Sequence, residues 1–115
     1  MKAKIGILSE ELARKRMIRI AEGKLTHEKS YPLFLFESLG ALSQLLSTEN
    51  VELLNLIARE KPNSLDELAE MSRRSIKDVT DTLEALSSKG FAYLEKRGSQ
   101  YRPIALFTTF EIVMV

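Results

Sequence analysis

The stretch RRSIKDVTD, residues 73 to 81, sets two guanidiniums, a hydroxyl and an ammonium at the start of a segment with helical spacing. That is chemistry suited to anions. Arginine offers a planar fork that matches guanine O6 and N7, and serine or threonine reaches bases or phosphates. A helix N-terminus adds its own partial positive charge. Arg73, Arg74, Ser75 and Lys77 therefore stand as candidate contacts to double-stranded DNA, with Thr80 and Asp81 one turn further on. Arg73 is equally explained by an intrachain salt bridge. Arg74 and Lys77 also fit a plain polar surface.

Turned at about 100° per residue, the segment puts Ile76, Val79, Leu83 and Leu86 on one apolar arc. Lys77, Thr80, Asp81, Glu84 and Ser88 fall on the outward arc, with Asp78 to one side. Asp78 and Asp81 read first as solvated charges. In a nucleic-acid setting they accept from cytosine N4 or orient an arginine through an ion pair. Two acids against one lysine make this face nearly neutral, which predicts selective or weak binding over indiscriminate coating of a polyanion.

A second basic group surrounds a turn. Lys96, Arg97 and Arg102 flank Gly98, Ser99, Gln100 and Tyr101, where cations would lie along a phosphate backbone and position the domain without reading sequence. A solvated hairpin tip is the plain alternative, and Tyr101 could equally pack on the domain. A third group, RKRMIR at residues 14 to 19, reads as the polar face of an N-terminal helix.

The elements that position these groups are read from capping and periodicity. KAKIGIL alternates, with Ala3, Ile5 and Ile7 on one side, and predicts a strand. Ser9 starts a helix with an apolar stripe of Leu12, Ala13, Met17, Ile20 and Ala21. KLTHEKSYP reads as a loop, LFLF as a short buried strand and ESLGALSQLL as a helix. Ser47 or Thr48 opens the next helix, with Val51, Leu54, Ile57 and Ala58 inward and Pro62 beyond its end. SLDE at residues 64 to 67 is a capping box for a short helix that turns Leu65, Leu68 and Ala69 inward. Ser75 caps the helix already described, and Gly90 ends it. FAYLE, KRGS and QYRPI predict a hairpin. FTTFEIVMV alternates again, placing Phe110, Ile112 and Met114 on one face and exposing Val113 and Val115 for strand addition or dimer pairing.

Three short helices and a β-hairpin define an α+β chain, a winged helix-turn-helix over residues 47 to 104. It carries an N-terminal β-α-β extension and a C-terminal strand. Residues 1–46 form the extension, expected to dimerise, and 47–115 the DNA-binding domain with its last strand.

Composition bounds the alternatives. The 115 residues carry a formal net charge of +1, so positive charge must be concentrated locally for a nucleic acid to be held. Charged residues make up 29% of the chain, and its uncharged runs fall short of the roughly 20 residues that span a bilayer, so no membrane is expected. Without cysteine or a secretory pattern, a cytoplasmic location is expected. His27 is the only histidine and the five glycines are scattered, so no metal set, histidine-based triad, phosphate loop or cofactor site is expected, nor an enzyme.

PNSLDELAEMSRRSIKDVTDTLEALSSKGFAYLEKRGSQYRP resembles the winged helix of MarR-like transcriptional regulators. FESLGAL, LSTENVELLNLI and FEIVMV are similar to the HVO_A0114-type family of DNA-binding proteins. The resemblance implies a homodimeric regulator of transcription, a repressor. Because such proteins are often encoded beside small toxins, it also implies an alternative: an antitoxin, or protein-interaction module, that binds a small toxin protein and represses its own operon. MarR-like proteins also take small aromatic ligands, although no polar constellation here marks such a pocket.

Overall fold

The computed structural model describes residues 2–7 and 34–114. The expected N-terminal helix with its basic group at residues 14 to 19, the loop after it with His27, and Val115 lie outside the described residues. What is described is a small α+β protein with four helices and five strands. β1 (Lys2–Ile7) and β2 (Phe34–Phe36) come first, then α1 (Leu39–Leu45), α2 (Thr48–Glu60), α3 (Leu65–Ser72) and α4 (Ile76–Ser88). β3 (Ala92–Arg97), β4 (Gln100–Ala105) and β5 (Thr109–Met114) complete the chain.

Two compact units result. One is built from residues 45–109; the other combines described residues of the segments 2–44 and 110–114. In the second unit the strands run in the order β2-β1-β5, with β1 and β2 parallel and Ile5 opposite Phe34. Ala3, Ile5 and Ile7 are buried, as their alternation requires. The short strand expected at LFLF is present but only partly buried: Phe36 is buried, Phe34 half-buried and Leu35 exposed. The last strand bonds to β1 and lies in this sheet. Lys2 and Glu111 meet at 2.8 Å across the β1–β5 pair. Val113 is half-buried, and Ile112 of β5 is exposed.

In the unit of residues 45–109, serines start three helices. Ser47, Ser64 and Ser75 accept from the amides of Asn50, Glu67 and Asp78 at 3.2, 3.1 and 3.1 Å. Each satisfies one of the donors that a helix start leaves free. The capping box at Ser64 is half reciprocal: Glu67 reaches past the serine and accepts from the Asn63 amide at 3.4 Å.

The residues just beyond each helix decide how it ends. Lys61 takes a left-handed conformation (φ 50) and its amide donates to Ile57 O at 3.0 Å. The next residue is Pro62, which has no N–H, so the two-bond Schellman closure cannot form on α2. α3 does make that closure. The Arg73 amide donates to Glu70 O and the Arg74 amide to Ala69 O, at 3.3 and 3.2 Å, around Arg73 at φ 59. α4 repeats it around Gly90 (φ 88), with Gly90 N donating to Ser87 O and Phe91 N to Leu86 O.

Leu54, Leu68, Val79, Leu83, Leu86 and Phe91 form the core of this unit, all fully buried. Phe91 also meets Phe107 edge-on, ring centroids 6.5 Å apart. Two expectations from the sequence are corrected. α2 buries Leu53, Leu54 and Ile57, while Ala58 is exposed: the buried arc is turned by about 60° from the one expected. Ile76 has the right angle for the core of α4 but is 49% exposed, because it is the first helical residue and lies at the end of the packed layer.

β3 and β4 are antiparallel, with Arg97 opposite Gln100, so the connecting turn has two residues, Gly98 and Ser99. Gly98 has φ 61, and glycine with positive φ at the first loop position is what a type II′ turn requires.

Candidate nucleic-acid interface

The α3–α4 connection treats its two arginines in opposite ways. Arg73 holds the left-handed position that closes α3, with its side chain exposed and no ion pair among the described residues. Arg74, one residue later, turns its side chain into the protein, leaving it 20% exposed. Its Nε donates to Asp78 Oδ2 at 2.7 Å and its Nη2 to Thr82 Oγ1 at 2.8 Å. Its Nη1 lies 3.5 Å from Asn50 Oδ1 on α2, a longer contact. The guanidinium thus binds two successive turns of α4 and the first turn of α2.

That pairing sets the electrostatics of Asp78. The hydrogen bond from Arg74, reinforced by its charge, holds the carboxyl below the usual aspartate range against a smaller opposing effect of desolvation. Asp78 does the ion-pair work that the sequence offered as one of its options.

Further along α4 the polar groups are also engaged. Lys77 Nζ lies 3.3 Å from Asp81 Oδ2, with the side chains 86% and 62% exposed, so solvent screens this pair heavily. The Thr80 hydroxyl donates to Ile76 O at 2.7 Å, which leaves its oxygen to accept outward. The Ser75 oxygen caps the helix, and its proton remains for a second partner.

The hairpin separates its cations by strand alternation. Ala92, Leu94, Lys96, Tyr101, Pro103 and Ala105 share one face, and buried Ala92 and Pro103 identify it as the inner one. Tyr93, Glu95, Arg97, Gln100, Arg102 and Ile104 share the other. Lys96 and Tyr101 are cross-strand partners near the tip, both exposed. Arg97 donates to Glu95 at 2.5 Å and so is neutralised in part. Arg102 is half-buried and, with Lys61, lines a cleft of about 320 Å³ between the end of α2 and β4.

Of the nine candidate residues, the turn before α4 and the first half of α4 hold six, and the hairpin holds three. Arg73, Lys96 and Arg102 have no ion-pair partner among the described residues; Arg74, Lys77, Asp81 and Arg97 have one. Sequence reasoning missed Asn50, Thr82 and Lys61. The fourfold spacing of Arg74, Asp78 and Thr82 was a readable signal for Thr82; no local pattern could have found Asn50 across 24 residues. Among the described residues no group of His, Asp or Glu is placed to hold a metal ion, and no helix is long and apolar enough to cross a membrane.

A model of the HVO_A0114 family matches residues 45–112, more than half of the chain, covering α2 to α4, the hairpin and most of β5. No curated protein matches the chain.

Proposed function

The chain belongs to the HVO_A0114 family, and we propose that it is a sequence-specific, double-stranded-DNA-binding regulator of transcription, a repressor. In this reading residues 47 to 104 are a winged helix-turn-helix of MarR-like type, with α4 as the recognition helix and the β3–β4 hairpin as the wing. It acts as a homodimer on a palindromic site.

The observation that carries the reading is where the candidate cations without an ion pair among the described residues fall. Arg73 sits at the turn immediately before α4, and Lys96 and Arg102 sit on the hairpin that comes after it. Helix-turn-helix proteins present the N-terminal end of the recognition helix to base edges and use flanking elements for phosphate. Arg73, Lys96 and Arg102 would take phosphates. Ser75, Lys77 and Thr80 would face the groove, and Asp81 would hold Lys77 in place or accept from cytosine N4. No enzyme activity is proposed.

Binding to duplex DNA across a salt series tests this. These three proposed phosphate contacts per protomer, doubled in a dimer, give a slope of log affinity against log salt on the order of −5. The proposal requires a slope of that size together with preference for a selected duplex over a scrambled one. Absence of binding at low salt overturns it.

The exposed Ile112 supports a second reading. β5 ends the sheet order among the described residues, so its outer edge suits addition of a strand from a partner protein. That partner would be a small toxin neutralised by this chain as antitoxin. Co-purification with the product of a neighbouring reading frame, abolished by Ile112→Lys, would establish it; a chain that purifies alone beside that product excludes it.

A further inference from the structure

We infer that Arg74 is a positioning residue for the recognition helix, a clamp that fixes α4 on α2 and so sets specificity without touching DNA. The inference rests on the DNA-binding reading above and concerns the same site.

Position in the sequence makes Arg74 the natural base or phosphate contact, but each of its three guanidinium nitrogens already faces a protein acceptor. Two short bonds go to Asp78 and Thr82, and the third direction faces Asn50. With four-fifths of the side chain covered, an outward swing would break those bonds and leave Thr82 without its donor. The partners are also spread in a particular way. Asp78 and Thr82 are four and eight residues along, so the guanidinium spans two turns of α4 on one face. Asn50 belongs to α2, where its backbone amide donates to the Ser47 hydroxyl at 3.2 Å and its Nδ2 donates to Leu45 O at 2.9 Å. Arg74 is thus tied to a residue that is itself fixed through both backbone and side chain.

Such a clamp acts on orientation. Base readout tolerates little rotation of the helix, because bidentate hydrogen bonds lose strength steeply with angle. Phosphate contacts from Arg73 and the hairpin lie outside the clamp and depend on it less. Loosening the clamp should therefore lower specific affinity while leaving non-specific affinity and the salt slope unchanged. A direct phosphate contact behaves differently: its loss weakens all sequences and reduces the slope by about 0.9 per protomer.

The test uses the full chain, a duplex selected by the wild type from a random-sequence pool, and a scrambled duplex of equal length. Arg74→Lys, Thr82→Val and Asn50→Ala are compared at a temperature where circular dichroism shows each fully folded. The expected result is a loss of about tenfold for the selected duplex in all three, no change for the scrambled one, and unchanged salt slopes. Thr82→Val keeps the β-branched shape and removes only the hydroxyl, so it reports the lost bond. Wild-type affinity in Arg74→Lys, or in both Thr82→Val and Asn50→Ala, overturns the clamp, as does a slope shallower by about 0.9 per protomer in Arg74→Gln, which removes the charge that Arg74→Lys keeps. A wild type that does not select any duplex overturns the DNA-binding reading itself, a separate outcome.

Discussion

The Arg74 guanidinium and the Thr82 hydroxyl meet at 2.8 Å, joining the turn that precedes α4 to the second turn of that helix. Arg74 also bonds Asp78, one turn nearer, and faces Asn50 on α2. A side chain whose type and position suggest an outward ligand is thus part of the internal framework.

Arg74→Ala should destabilise the fold. It removes two short charge-assisted bonds from a mostly covered side chain and leaves Thr82 and Asp78 with fewer partners. The exposure of Asp78 discounts its share. A loss of about 1–3 kcal/mol is expected, read as a lower urea midpoint at unchanged slope. Arg73→Ala, by contrast, should leave the stability within about 0.5 kcal/mol of the wild type and the midpoint nearly unmoved. Equal midpoints for the two variants would contradict the internal role of Arg74.

Arg73→Gly should instead stabilise. At φ 59 the arginine Cβ crowds the backbone, a strain of roughly 1 kcal/mol that glycine does not suffer. Glycine's greater freedom in the unfolded chain offsets part of this, so a net gain of at most about 1 kcal/mol is expected. The same change deletes an unpaired cation, and under the DNA-binding proposal it makes the salt slope shallower by about 0.9 per protomer. Stability and DNA affinity should thus move in opposite directions, which urea unfolding and salt-dependent binding read separately.

How much of this was legible in the sequence depends on the range of each interaction. Ser47, Ser64 and Ser75 announced their helices because capping is local, and Val79, Leu83 and Leu86 announced the core of α4 because burial repeats with the helical turn. Ile76 and Ala58 were misplaced because periodicity gives an angle but neither the depth of a residue nor the direction of the neighbouring helix. The same limit hid the candidate site. Adjacent arginines look alike in sequence, and only the left-handed turn at Arg73 sends one outward and the next against Asn50.

Asp78 predicts a pH dependence. Its carboxyl is held below the usual range, first by the hydrogen bond from Arg74, so the folded state binds its proton less readily than the unfolded chain. The stability it contributes is fully present above the unfolded value of about 3.9 and is lost as pH falls through the lower folded value. The gap in stability between wild type and Asp78→Asn should therefore be constant near neutrality and close only in that acid window. Carboxyl NMR should place the Asp78 midpoint below that of the unfolded chain; an equal or higher midpoint would contradict the pairing.

Asp81→Asn separates charge from architecture on the outward face of α4. The exposed Lys77–Asp81 pair is screened by solvent, so its loss should change stability by less than about 0.5 kcal/mol. Under the DNA-binding proposal the effect on binding is larger. Removing the acid takes away repulsion from phosphate and releases Lys77 as a further cation, which steepens the salt slope by about 0.9 per protomer. Affinity for scrambled duplex should rise more than affinity for a selected one, because the added term is blind to sequence. Selectivity therefore falls as binding strengthens. If the substitution changes neither affinity nor slope, the Lys77–Asp81 face does not meet DNA, and the outward side of α4 is free for a protein partner.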